Sequence, residues 1–286
     1  MLECVINISE GQRPDVLAAV GAACGPALLD VHTDPDHHRS VFTLAAPRVE
    51  EAAMALARET VARIDLSVHL GVHPRLGAID VVPFVPLAGR TLEEASEAAR
   101  AWGERVADEL GVPIFFYGAA DPAGRSLPDA RRDAFRGRQP DFGPDEPHPT
   151  AGAIAVGARP FLAAINCDLV PGDGKLDEDV AIAKAVARQV RERDGGLPGV
   201  RALGFALESK RQAQVSMNLI DLAATGVQAA CEAVRQAAIA LGSDVAAVEL
   251  VGLLPAAEVE RCSGDFLAWS GLSKEVTIEA RLPRSA

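Results

Sequence analysis

The chain has 286 residues, 49% of them hydrophobic but only 4% aromatic. That is enough apolar material for one large domain or two of ordinary size, with a core of small and branched aliphatics, and it excludes a disordered chain. With 28 basic and 40 acidic side chains the net charge is −12, which argues against nucleic acid or an anionic membrane as a partner, because both need a basic face.

Glu3 to Ile8 reads as a short strand, and Arg13 to Ala23 as a helix with Pro14 in its first turn. Ala27 to Val31 and Ser40 to Ala45 read as neighbouring strands, followed by an Ala- and Leu-rich helix from Val49 to Ile64. A strand is expected over Ala78 to Val85. Thr91, with Glu94 three residues on, forms a capping box for a helix that runs to Leu110 and stops at Gly111. Ile114 to Tyr117 is a further strand. The stretch from Ala119 to Ala151 is polar and rich in Gly, Pro and Arg, and reads as one long loop.

The pattern then restarts. Phe161 to Leu169 is a strand and Glu178 to Arg193 a helix. Val200 to Leu207 and Gln214 to Leu219 form an antiparallel pair, Thr225 to Leu241 is a helix and Val245 to Leu250 a strand. The second half is thus βαββαβ, and the first half is much the same with insertions. The fold class is α+β: two tandem ferredoxin-like α/β subdomains with antiparallel sheets, residues 1–160 and 161–286.

No apolar stretch reaches the length of about 18 residues that a membrane span needs. The opening Met1-Leu2-Glu3-Cys4 has neither a basic leader region nor a cleavage site, so the expected compartment is the cytoplasm. Cysteines at 4, 24, 167, 231 and 262 are odd in number and lack any C-x-x-C spacing. They read as small buried hydrophobes rather than as a disulfide framework or a zinc site.

All six histidines (32, 37, 38, 69, 73 and 148) fall in the first half. His32, His37 and His38 lie in a turn-forming Asp/Pro stretch, as a solvated turn or as imidazole and carboxylate that suit zinc or manganese. His69 and His73 are spaced i, i+4, but Gly71 and Pro74 argue against a continuous helix between them, and no Glu follows as in H-E-x-x-H. Pro74 pushes His73 out of the α region at the entrance to a strand, a place suited to acid–base chemistry, with a purely structural histidine as the other option. From Pro140 to Gly152, four prolines and two glycines make a stiff path: a groove wall for a flat ligand, or a rigid linker.

These stretches, with others, resemble the glutamate formiminotransferase (formimidoyltransferase) family. The likeness begins at Glu3-Cys4-Val5-Ile6-Asn7-Ile8-Ser9-Glu10-Gly11, similar to the family's E-C-V-P-N-F-S-E-G. It is sharpest from His73-Pro74-Arg75-Leu76-Gly77-Ala78-Ile79-Asp80 to Pro86. It continues at Pro140-Asp141-Phe142-Gly143-Pro144, Gly157-Ala158-Arg159, Ala213 to Leu219 and Glu249 to Pro255. The chain departs from the family's H-K-G-E-H-P-R at Leu70 and Val72, from its D-V-D at His32, and from its N-R pair at His38.

The resemblance implies a ligand tunnel between the two subdomains. It also implies transfer of a formimino group from N-formimino-L-glutamate to tetrahydrofolate, a step of histidine degradation and one-carbon metabolism. His73 matches the catalytic histidine. Gly143, Pro144, Asp145, Glu146, Pro147, His148, Pro149, Thr150, Ala151 and Gly152 match the folate-binding stretch. The helical cyclodeaminase domain of some members is not expected in this chain.

Tetrahydrofolate is then a co-substrate, no metal is expected, and the small-molecule partners are folate and the formimino donor. A homodimer is expected. Both substrates are anionic, so an acidic chain needs a local basic lining. Arg39, Arg75, Arg125 and Arg159 lead the candidates, and Arg39, Arg75, His32 and His69 are the expected substrate-binding residues. The alternatives are a metal-dependent hydrolase or lyase using His32, His37 and His38 with His69 or His73, and a non-catalytic small-molecule-binding paralogue.

Overall fold

The computed structural model describes residues 1–69, 75–87, 89–172 and 174–283. It divides at Pro160/Phe161 into two compact units.

In the first unit the strands are β1 (Leu2–Ile8), β2 (Leu28–Asp34), β3 (Arg39–Ala46), β4 (Ile79–Pro86), β5 (Ile114–Gly118) and β6 (Ile154–Ala158). The longer helices are α1 (Pro14–Ala23), α2 (Val49–Arg63) and α3 (Leu92–Leu110), with a short α4 at Leu127–Asp133. The six strands form one sheet in the order β2-β3-β1-β4-β6-β5. Alternate residues of β1 (Leu2, Cys4, Ile6, Ile8), with Phe42, Leu44, Val82, Phe84, Ile154 and Val156, are buried in a single core with residues of α1, α2 and α3. This is the period-two pattern of a sheet with helices on one face. On another part of the sheet Val81, Tyr117 and Ala155 pack with Ala130 of α4.

The α3 helix starts as its sequence dictates. The Thr91 hydroxyl accepts from the Glu94 backbone N–H, and the Glu94 carboxylate accepts from the Thr91 N–H. Gly111 ends it in the left-handed region at φ 66°.

The expectation of antiparallel sheets needs correction here. β1 pairs antiparallel with β3 and β4, but β6 pairs parallel with both β4 and β5. The cause is connectivity: α3 and the 119–153 segment carry the chain back across the sheet as crossovers rather than hairpins, so these strands point the same way. The sequence reading also missed β6, and missed α4 inside the supposed loop.

The second unit contains β7 (Ala163–Leu169), α5 (Leu176–Val190), β8 (Val200–Leu207), β9 (Gln212–Leu219), α6 (Val227–Ala240) and β10 (Val245–Val251), then three short helices, α7 (Ala256–Glu260), α8 (Gly264–Ser270) and α9 (Ile278–Arg281). Its four-stranded sheet has the order β10-β7-β9-β8, with every pairing antiparallel. The first four strands of the first unit are arranged in the same way, each unit's fourth strand beside its first and its third between first and second. Among the described residues, no helix is long and apolar enough to cross a membrane.

Candidate functional site

The first unit gathers several chemistry-bearing side chains where β1 ends, β2 turns into β3 and the chain enters β4. Gly11 makes that approach possible. A Cβ there would lie 2.4 Å from the Asp34 carbonyl oxygen and 2.6 Å from the Arg39 nitrogen. Beside it, Glu10 is fully buried. Its Oε1 accepts the backbone N–H groups of Gln12 and Arg13 at 2.8 and 2.9 Å, and its Oε2 accepts Arg13 Nε at 2.5 Å. Burial alone would raise this carboxyl, but the three donors outweigh it and hold the group below its ordinary range.

In the β2–β3 turn, Asp34 Oδ2 lies 2.5 Å from His37 Nδ1, and its Oδ1 accepts the His37 backbone N–H at 2.9 Å. Against the effect of burial, these bonds pull Asp34 down to about 2. The same hydrogen bond raises His37. His38 sits in the left-handed region at φ 49°. Its Nδ1 accepts the Gly11 N–H at 3.0 Å, which leaves the ring proton on Nε2 of a neutral imidazole. The His38 ring packs on that of His69, with centroids 4.0 Å apart.

Arg75 Nη1 stands 2.8 and 2.7 Å from the two ring nitrogens of His69, and its Nη2 donates to the His37 carbonyl at 3.3 Å. A guanidinium can only donate, so His69 must accept and is held neutral. Burial, then the Arg75 charge, keeps its pKa low. His38 is lowered chiefly by burial, against the opposing pull of Glu10. Ser9, His37, His38, Arg39, Arg75 and Asp80 together line a narrow crevice.

Asp80, 2% exposed, anchors the start of β4. Its Oδ1 accepts the Leu76 N–H at 2.9 Å, and its Oδ2 takes Arg131 Nη2 in a short contact, with Arg39 Nη2 at 3.5 Å. Sequence reasoning missed Arg131. The available signal was Ser126 three residues before Asp129, the start of α4, whose N-cap hydroxyl accepts the Asp129 N–H.

The stretch expected to bind folate is fastened to this region at one end. Ala151 O accepts the Ala78 N–H at 2.9 Å, Leu76 O accepts the Ala153 N–H at 3.1 Å, and Thr150 O accepts the Leu66 N–H at 2.8 Å. Gly77 and Gly152 face each other in a bridge. His148 folds the stretch on itself, its Nδ1 accepting the Ala151 N–H at 3.0 Å. Thr150 to Gly152 therefore runs beside residues 66 and 76–78, on either side of the segment 70–74. Gly143 to Pro147 is exposed.

His73 itself, with Leu70, Gly71, Val72 and Pro74, lies outside the described residues. His32 is on β2 opposite Val41. Arg125 forks onto Asp121, with Nη1 at 3.0 Å from both oxygens, and Arg159 Nη1 donates to the Pro160 carbonyl. Among the described residues, no three His, Cys, Asp or Glu side chains converge as a metal-ligating set. The Nδ1 atoms of His37 and His38 are already committed to Asp34 and Gly11.

A family model described as "Formiminotransferase domain, N-terminal subdomain" matches residues 1–159, and one described as "Formiminotransferase domain" matches residues 164–277. The chain belongs to the formiminotransferase family. It is 37% identical over 274 residues to the glutamate formimidoyltransferase of Streptococcus pyogenes serotype M1, covering 90% of this chain and 89% of that protein. To the glutamate formimidoyltransferase of Thermoplasma acidophilum it is 34% identical over 305 residues, covering 100% of this chain and 98% of the relative. To the formimidoyltransferase-cyclodeaminase of Sus scrofa it is 40% identical over 274 residues, covering 89% of this chain and 50% of that protein. The chain thus spans about half the length of the cyclodeaminase relatives in mammals.

Proposed function

We propose that this chain is a glutamate formiminotransferase, moving the formimino group of N-formimino-L-glutamate onto N5 of tetrahydrofolate, with His73 as the acid–base group. The observation that carries this reading is the match, nearly end to end, with two relatives whose names state that transfer to or from glutamate. In the same reading residues 1–160 and 161–286 are two ferredoxin-like subdomains, the first carrying the catalytic histidine.

N5 attacks the amidine carbon and a tetrahedral intermediate forms. The carbon–nitrogen bond to glutamate then breaks. N5 must lose a proton, and the departing amine must gain one to leave neutral. A single imidazole with a pKa near 6.5 can accept the first proton and deliver the second. Tetrahydrofolate is a co-substrate here, and the stretch from Gly143 to Gly152 forms part of its site. Its hydrogen bonds to residues 66 and 76–78 support that assignment, because they tie it to the chain on both sides of His73. Arg39 and Arg75 bind substrate carboxylate. His69, kept neutral by Arg75, and His32 line the donor side.

The test is the rate of transfer by His73→Ala. Loss of a general acid–base costs about 10²–10⁴-fold in turnover, and the variant should melt like the parent. Undiminished transfer by a folded His73→Ala enzyme would remove His73 from this role.

A further inference from the structure

We propose that Arg131 and Arg39, poised around Asp80, form a two-guanidinium site for a carboxylate of the formimino-amino-acid donor. The inference rests on the transferase reading and names a binding residue, Arg131, that neither the sequence motifs nor the family resemblance supplies.

Glu10, Asp34, Asp36 and Asp80 stand at this corner of the first unit. Glu10 is engaged by Arg13, and Asp34 by His37. Asp80 is left to face two guanidiniums, Arg131 in a short contact and Arg39 at 3.5 Å, a distance too long for a good hydrogen bond. One of its oxygens is already occupied by the Leu76 N–H. Arg75, around the same crevice, adds a further cation and donates to His69 and the His37 carbonyl. Two guanidiniums therefore meet a single carboxylate at Asp80, on a chain whose net charge is −12.

The donors are also under-used. Buried Nε atoms of both Arg39 and Arg131 have no hydrogen-bond partner. Among the described residues, Asp80 is the one carboxylate that either guanidinium reaches. A planar guanidinium carries five N–H donors, and buried donors without acceptors are costly. The two side chains remain 24% and 26% exposed, so an incoming anion can reach their outer nitrogens while Asp80, at 3%, stays behind them. Burial already disfavours the charge on Arg39, and a second anion would offset that. Two guanidiniums held side by side by one buried carboxylate match a second carboxylate in bidentate geometry.

The donor is the favoured source of that carboxylate. Its own carboxylates lie within one short side chain of the transferred group, and Arg75 and His69 flank the His73 segment. The carboxylates of folate sit at the far end of its aminobenzoyl arm.

The experiment measures KM for each substrate and, by calorimetry, the affinity for L-glutamate, in the full chain and in two variants. Arg131→Met is expected to raise KM for N-formimino-L-glutamate, and to weaken L-glutamate, by ~10–100-fold, the range for a charge-assisted contact. KM for tetrahydrofolate should move far less. Arg131→Lys keeps the ion pair with Asp80 but loses the fork, and should still cost about 5-fold or more; it provides the test if Arg131→Met does not fold. Unchanged donor KM and glutamate affinity in a folded variant would overturn the site, as would a shift confined to tetrahydrofolate. If the wild type transfers nothing to tetrahydrofolate, the transferase reading fails instead, and a glutamate affinity lost in Arg131→Met would still locate the carboxylate site.

Discussion

Replacing Gly77 by alanine should unfasten the joint between the strand that follows His73 and the stretch at Thr150 to Gly152. The added Cβ would fall 2.1 Å from the Ala153 carbonyl oxygen and 2.8 Å from those of Ala151 and Ile79. All three are backbone atoms held in place, so no side-chain rotation relieves the clash. The hydrogen bonds Ala78 N–H to Ala151 O and Ala153 N–H to Leu76 O must lengthen, as must that from the Ser9 hydroxyl to the Gly77 carbonyl. At about 1 kcal/mol net for each, the loss is about 3 kcal/mol. For a unit of this size that corresponds to a fall in melting temperature of about 6–12 °C. Intrinsic fluorescence can isolate the event, because one of the two tryptophans, Trp102, is buried in the first unit and the other, Trp269, belongs to the second. In a Trp269→Phe background the Trp102 signal should melt early in the Gly77→Ala protein. A transition within about 2 °C of the parent would refute the clash argument.

Gly157→Ala should also destabilise the first unit, by about 1–3 kcal/mol, because its Cβ would meet the buried Tyr117 ring at 2.5 Å; urea denaturation measures it. The imidazoles predict a pH dependence of mixed sign. His38 and His69 have lowered pKa values, so the unfolded chain takes up their protons first, and stability falls as pH drops from about 7 through their folded values. His37 is raised, so its contribution is complete at low pH and is lost as pH rises through its folded value. His69→Gln should therefore shrink the acid-side loss, whereas His37→Gln should enlarge it, both read from denaturation midpoints across pH 5 to 8, the range in which histidine titrates. The reverse pattern would show that these rings are not held as neutral and cationic, respectively.

Much of the fold was legible because local chemistry and tertiary packing agree. The alternation through β1, the Thr91–Glu94 box and the left-handed Gly111 each follow from residues next to one another. β6 escaped because Ile154 to Ala158 is a short apolar run buried on both faces, where period-two patterning vanishes. Its small residues have a packing reason that only the fold reveals: Gly157 leaves room for the Tyr117 ring. α4 escaped because seven residues beside prolines and arginines look like loop, although Ser126 and Asp129 mark its start. The structure brings together residues that the sequence grouped, Arg75 with His69 and Thr150 to Gly152 with residues 66 and 76–78. Arg131 was not legible, because it reaches Asp80 from 51 positions away and no local pattern encodes that contact. His38 and His69 were grouped in the sequence only as candidate metal ligands, and the structure brings their rings together, centroids 4.0 Å apart.

The central claim is folate-dependent transfer, and the direct measurement is free L-glutamate released from N-formimino-L-glutamate, with and without tetrahydrofolate. The account predicts release only when tetrahydrofolate is present, mole for mole with the N5-formimino product. Release without tetrahydrofolate would mark a hydrolase or lyase, and no release in its presence would mark a chain that does not perform this transfer; either result would contradict the account.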